Sequence, residues 1–132
     1  MTDQENTEAL KWILVVDDEP AVREFVERAL NYAGYGVDVA GDGNEALVAL
    51  KDKYYDLLLT DIVMPDLDGI ALALKVSKDY PKTKILMMSG YADQRQRAYN
   101  LEKLVHEVVS KPFSLDEICE KVAEVFATDK AA

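Results

Sequence analysis

Trp12-Ile13-Leu14-Val15-Val16-Asp17-Asp18-Glu19-Pro20 runs from five apolar residues through three acids to a proline. The apolar run reads as a strand, and the acids mark the point where it gives out. Pro20 suits the first turn of a helix, where its missing N–H costs nothing. Val22, Phe25, Val26, Ala29 and Leu30 then recur on one helical face, which should cover a sheet, until Gly34 stops the helix. Strand, acidic turn and helix together form one β-α unit.

Outward from that unit the pattern repeats. Tyr35 to Ala40 is a short strand with Val37 and Val39 on one side, and Asp42-Gly43 turns into a helix carrying Ala46, Leu47 and Leu50. Tyr55 to Thr60 is apolar on both faces, as expected of a central parallel strand, and its end is a privileged position at Asp61. A loop with Pro65 and Gly69 leads to an apolar helix of Ile70 to Val76, then Pro81 and a strand from Lys84 to Met88. Ala92 to Leu104 is a weaker helix rich in Gln and Arg, expected to be exposed, and Val105 to Ser110 is a fifth strand. Ser114 and Glu117 stand in capping-box spacing ahead of Ile118, Val122, Val125 and Phe126, which should face the core.

Five strands alternating with five helices through short links predict a three-layer α/β domain, an open parallel five-stranded sheet of (βα)5 order. Ligands of such folds bind beyond the carboxyl ends of the strands, where strand order reverses. The strands ending at Val16 and Thr60 are the candidates for that crevice, which brings Asp17, Asp18 and Asp61 together.

The 132 residues suffice for one core. Residues 1–10 are expected to be a flexible tail, 11–127 the domain and 128–132 a short tail. With 15 Lys plus Arg against 25 Asp plus Glu, the net charge of −10 argues against nucleic acid as a direct partner and favours basic protein surfaces. A lone cysteine and the lack of a signal segment point to the cytosol, and no apolar run approaches a membrane span.

Two carboxylates about 4 Å apart repel by roughly 4 kcal/mol at an effective dielectric near 20, so three in one pocket either raise a pKa or recruit a cation. All-oxygen ligands suit Mg²⁺, which keeps waters and needs few protein ligands. In that chemistry Asp61 would be the nucleophile toward a phosphoryl group. Lys111 would pair with Asp61 and then with a phosphoryl oxygen, and the Ser89 hydroxyl would meet a second oxygen. Glu19 would contribute through water or simply start the helix. Each residue alone has a plainer reading: Asp18 and Glu19 as caps, Asp61 and Ser89 as turn residues, Lys111-Pro112 as a strand stop. The set points to chemistry where no member does. His106 and Cys119 lack the companions that a metal site or an activated thiol requires, and read as structural or partner-contact residues. Gly41 and Gly43 are too sparse for a nucleotide-cradling loop.

These stretches resemble the receiver domain of bacterial two-component response regulators, with the CheY-like variant of the flavodoxin-like fold. The likeness is carried by Val15-Val16-Asp17-Asp18-Glu19-Pro20, Asp61-Ile62-Val63-Met64-Pro65-Asp66-Leu67-Asp68-Gly69, Ser89-Gly90 and Lys111-Pro112-Phe113. It implies that Asp17, Asp18 and Asp61 hold Mg²⁺ with the backbone carbonyl of Val63. It also implies that Asp61 accepts phosphate from a histidine kinase or histidine phosphotransferase, that Lys111 contacts the phosphoryl group, and that Ser89 is the switch hydroxyl in place of the commoner Thr. Val108 departs from the pattern, standing where an aromatic usually couples the switch to the outer face, a part that Tyr91 or Tyr99 would then take.

Gly90-Tyr91-Ala92-Asp93-Gln94-Arg95-Gln96-Arg97-Ala98, with Pro20 to Val26 and Asp68 to Leu74, further resembles the CpdR-type single-domain regulators of alphaproteobacteria. That likeness implies a role in cell-cycle control in which the unphosphorylated form assists ClpXP and its substrates, Arg95 and Arg97 belong to an adaptor surface, and the protein is recruited to a cell pole. With no output domain expected after Phe126, the signal would leave through a surface. Other functions fit the same pocket: a phosphate shuttle to a helical histidine domain, or a Mg²⁺-dependent phosphohydrolase. The second lacks an acid at Val63, two residues after Asp61, and a substrate cap. Ala131-Ala132 also resembles the apolar ends that AAA+ proteases capture.

Overall fold

The computed structural model describes residues 10–90 and 107–128. Its strands are β1 (Trp12–Val16), β2 (Gly36–Ala40), β3 (Leu57–Asp61), β4 (Lys84–Ser89) and β5 (Glu107–Ser110). Helices α1 (Pro20–Tyr32), α2 (Gly43–Asp52), α3 (Gly69–Asp79) and α4 (Leu115–Ala127) complete the described elements. All strands are parallel, in the order β2-β1-β3-β4-β5. Strand order reverses between β1 and β3, as the β-α alternation predicts.

Alternation along buried strands sorts their side chains onto two helix-covered faces. Leu14, Val16, Leu58 and Met87 pack against Ala46 and Leu50 of α2 and Leu72, Ala73 and Val76 of α3. Ile13, Val15, Leu57, Leu59, Leu86 and Met88 pack with Val26 and Leu30 of α1 and Ile118, Val122 and Val125 of α4. Leu57, Leu58 and Leu59 are wholly inaccessible, each worth about 1.5–3 kcal/mol of burial. The three-layer architecture follows from this two-sided coverage.

Helix starts are set locally. Asp42 and Asp68 accept from the amides of Glu45 and Ala71, and Ser114 and Glu117 form the expected capping box. Gly34, at φ 103°, follows α1 where a side chain would be strained. Several strand ends and one strand face differ from the sequence reading: β2 begins at Gly36 rather than Tyr35, β3 runs on to Asp61 and β4 to Ser89. β3 begins at Leu57 rather than Tyr55, because the Tyr55 carbonyl accepts from the Thr83 hydroxyl instead of a neighbouring strand. Val37 is buried but Val39 is 39% exposed, because β2 lies at the sheet edge. The expected helix over 92–104, with Tyr91, Arg95, Arg97, Tyr99 and His106, lies outside the described residues, as do both chain ends including Ala131-Ala132.

Candidate functional site

Register places the chemistry. Val16 of β1 stands opposite Thr60 of β3, so Asp17 and Asp18 emerge beside Asp61. Ser89 of β4 is partnered with Ser110 of β5, which puts Lys111 one residue beyond the same sheet edge. The Lys111 amide donates to the Ser89 carbonyl at 2.8 Å, extending the ladder to the lysine.

Asp17, Asp18 and Asp61 each offer a carboxylate oxygen, and these oxygens lie within 4.8 Å of one another. Asp17 is completely buried, Asp61 nearly so, and Asp18 faces solvent. The Lys111 ammonium bridges Asp17 Oδ2 at 3.0 Å and Asp61 Oδ1 at 3.1 Å, with Glu19 Oε1 at 3.7 Å. The Glu19 amide donates to Asp17 Oδ1 at 2.9 Å, which fixes that carboxylate in the acidic turn. One ammonium among four carboxylates leaves the pocket strongly anionic. An all-oxygen set with a surplus of negative charge suits a hard divalent cation such as Mg²⁺.

Burial pushes the Asp61 carboxyl up to about 6; Lys111 opposes this shift, while the Asp17 and Asp18 charges add to it. For Lys111, burial acts to lower the pKa, but its hydrogen bond to Asp17 and the charge of Asp61 outweigh that and raise it above the ordinary lysine value. A raised carboxyl held by a persistent ammonium is a group whose charge responds to what enters the pocket.

Ser89 is fully buried at the end of β4, on the same sheet edge as Asp61 and Lys111. Val63 lies in the loop after β3, 49% exposed. Val108 is buried opposite Met87, in the cluster facing α2 and α3. Cys119 is half-buried, its thiol 3.6 Å from the Ala29 carbonyl, as its packed reading expects.

Sequence reasoning paired Lys111 with Asp61 but missed its equal engagement of Asp17. It also missed two supports of the Asp61 main chain. Thr60 donates its hydroxyl to the Asp61 carbonyl at 3.0 Å. A Cβ at Gly69 would come within 2.0 Å of that same carbonyl oxygen, so only glycine lets α3 start this close. The glycine following the Asp68 cap was the available signal.

The model of the response regulator receiver domain matches residues 13–123. The chain belongs to that family. Receiver domains accept phosphate on an aspartate and interact with histidine kinases or phosphotransfer proteins. Among solved structures, the chain is similar to the response regulator TrrA of Thermotoga maritima in complex with Mg²⁺-BeF. That match has 37% identity and a TM-score of 0.79, covering 88% of this chain and 99% of that one. A CheY-like receiver domain protein of Methanospirillum hungatei is 30% identical with a TM-score of 0.84, over 94% and 100% of the two chains. Among curated relatives, the transcriptional regulatory protein TrcR of Mycobacterium tuberculosis is 36% identical over 80% of this chain and 41% of its own length. NtrC of Salmonella typhimurium is 35% identical over 80% of this chain but 22% of its own. The chain thus spans half or less of these longer relatives. None of the described helices of this receiver domain is long and apolar enough to cross a membrane.

Proposed function

We propose that this receiver domain is a phosphorylation switch in which Asp61 accepts the phosphoryl group of a phosphohistidine donor. The observation that carries this reading is the Lys111 ammonium held at 3.0 Å from Asp17 and 3.1 Å from Asp61, beside the exposed carboxylate of Asp18. Lys111 engages Oδ1 of Asp61, which supports attack by Oδ2. A new O–P bond forms as the donor's N–P bond breaks, and the departing imidazole nitrogen takes a proton. Lys111, released from part of its pairing with Asp61, moves to a phosphoryl oxygen. The Ser89 hydroxyl contacts another.

Asp17, Asp18 and Asp61, with the Val63 carbonyl, would hold Mg²⁺. When bound, the ion would neutralise the repulsion between a carboxylate nucleophile and an anionic phosphoryl group. Of the chain's own residues, Asp17 orients Lys111, while the buried strand ends exclude water from all but the outer side of the pocket.

For the output, the stretch Gly90 to Ala98 supports a CpdR-like role in which the unphosphorylated form assists ClpXP, with Arg95, Arg97, Tyr91 and Tyr99 on the interacting side and recruitment to a cell pole. The net charge of −10 supports a protein surface, not nucleic acid, as the direct partner of this domain. Transfer of labelled phosphate from a phosphorylated histidine phosphotransferase tests the first reading, with uptake by wild type and none by Asp61→Ala. Return of label to the donor histidine would identify a shuttle. Capture of the ClpX unfoldase by the unphosphorylated form and by Asp61→Ala tests the second; capture confined to a phosphoryl-analogue-bound form would reverse its sign.

A further inference from the structure

Arg23, on the first turns of α1, donates from Nη1 to the backbone carbonyl of Asp17 at 2.8 Å. That carbonyl belongs to the peptide joining Asp17 to Asp18, so the guanidinium grips the main chain between two of the three clustered carboxylates. The same nitrogen lies close to Gly41. A Cβ at Gly41 would lie 3.2 Å from Arg23 Nη1 and 3.3 Å from Glu45 Oε1. The Gly41 amide in turn donates to Glu45 Oε1 at 2.6 Å. The Asp17 amide donates to the Ala40 carbonyl at 3.3 Å, so the residue after β1 is joined to the end of β2, one residue before Gly41.

We propose that Arg23 is a positioning residue, which fixes the Asp17-Asp18 peptide against the Gly41 loop so that both carboxylates are held ready for a divalent cation. This rests on the reading of Asp17, Asp18 and Asp61 as a metal site. Three parts of the fold come together here: the end of β1 through the Asp17 carbonyl, α1 through Arg23 itself, and the loop after β2 through Gly41, whose amide is held by Glu45 of α2. A forked donor suits this place because one of its nitrogens reaches the Asp17 carbonyl while the glycine at 41 leaves the group room that a Cβ would take at 3.2 Å. Asp18 is exposed, so its carboxylate is not held by burial as that of Asp17 is. The main-chain grip supplies the order that its side chain does not have from packing.

Positioning and simple charge make opposite predictions. A guanidinium near a cation site repels the cation, so removing it should tighten metal binding if charge is all that it contributes. If Arg23 orders the turn, removing it should weaken binding despite the lost repulsion. Mg²⁺ alone is titrated calorimetrically into wild type, Arg23→Met, Arg23→Lys and Gly41→Ala, with urea midpoints measured without metal. The expected result is a loss of about fivefold or more in Mg²⁺ affinity for Arg23→Met, partial rescue by Arg23→Lys, and an intermediate loss for Gly41→Ala, which crowds the guanidinium without removing it. Tighter binding by Arg23→Met, or unchanged affinity with only a lowered urea midpoint, overturns the inference. If Arg23→Met does not fold, Gly41→Ala decides, and unchanged affinity there overturns it. Wild type that does not bind Mg²⁺ defeats the reading of the carboxylates as a metal site, and the inference with it.

Discussion

The Asp61 carboxyl, pushed by burial to about 6, ties the site to stability. Its ordinary value is 3.8. Between these values the folded protein keeps a proton that the unfolded chain releases, so Asp61 favours folding at low pH and loses that contribution as pH rises through 6. A shift of this size corresponds to about 3 kcal/mol, which partial solvent screening reduces to about 1–2 kcal/mol. Asp61→Asn is therefore expected to raise stability by about 1–2 kcal/mol at pH 8 and to change it little at pH 4, read from urea midpoints in metal-free buffer. Lys111→Met should act in the opposite direction. It leaves Asp17 and Asp61 facing one another without their shared cation, at a cost of about 2–4 kcal/mol at pH 8. The cost should shrink at pH 5, where Asp61 is protonated. Equal losses at both pH values would show that Lys111 does not stabilise the fold through the Asp61 charge.

Elements determine how exactly these residues can meet. Gly69 opens α3 against the Asp61 carbonyl, where a Cβ would lie 2.0 Å away. Gly69→Ala should cost more than about 3 kcal/mol, since the obstacle is backbone at the end of a central strand; a loss below 1 kcal/mol would mean that the loop yields easily. Ser114→Ala removes one half of a capping box whose hydrogen bonds involve none of the pocket residues, and thermal melts should report a loss of about 1 kcal/mol with phosphate uptake unchanged. Such local features were legible in the sequence. The Ser114 and Glu117 spacing, Pro20 at a helix start and the apolar run Leu57 to Leu59 each carry their structure within a few residues. The start of β3 was not, because Tyr55 is as buried as a strand residue and only its hydrogen bond to Thr83 separates it from the ladder. The Lys111–Asp17 pair was also hidden, since it joins residues 94 apart and depends on the register of four strands. Arg23 read as one more residue between apolar helix positions, and its role appears only when the carbonyl it meets is placed.

Across the molecule, strand register gathers Asp17, Asp61, Ser89 and Lys111 at one edge of the sheet and leaves Trp12 and Gly36 at the other. A change at Asp61 can therefore travel through Lys111 and Ser89 to β4 and β5 without disturbing the base of β1. Phosphorylation need only bias an existing equilibrium, and reversing it from 1:99 to 99:1 takes about 5.5 kcal/mol of differential stabilisation. With beryllofluoride and Mg²⁺, the amide resonances of Ser89 and of Val108 to Lys111 should shift while those of Trp12 and Gly36 stay in place. Uniform small shifts would indicate ion binding without a switch. The acceptor itself is most directly identified by reducing the protein with borohydride after exposure to a phosphorylated histidine phosphotransferase and Mg²⁺, since an acyl phosphate on aspartate is converted to homoserine. Peptide mapping should find homoserine at position 61 in wild type and none at any aspartate in Asp61→Asn; homoserine at Asp17 or Asp18, or label retained in full by Asp61→Asn, would contradict the assignment of Asp61 as the phosphate acceptor.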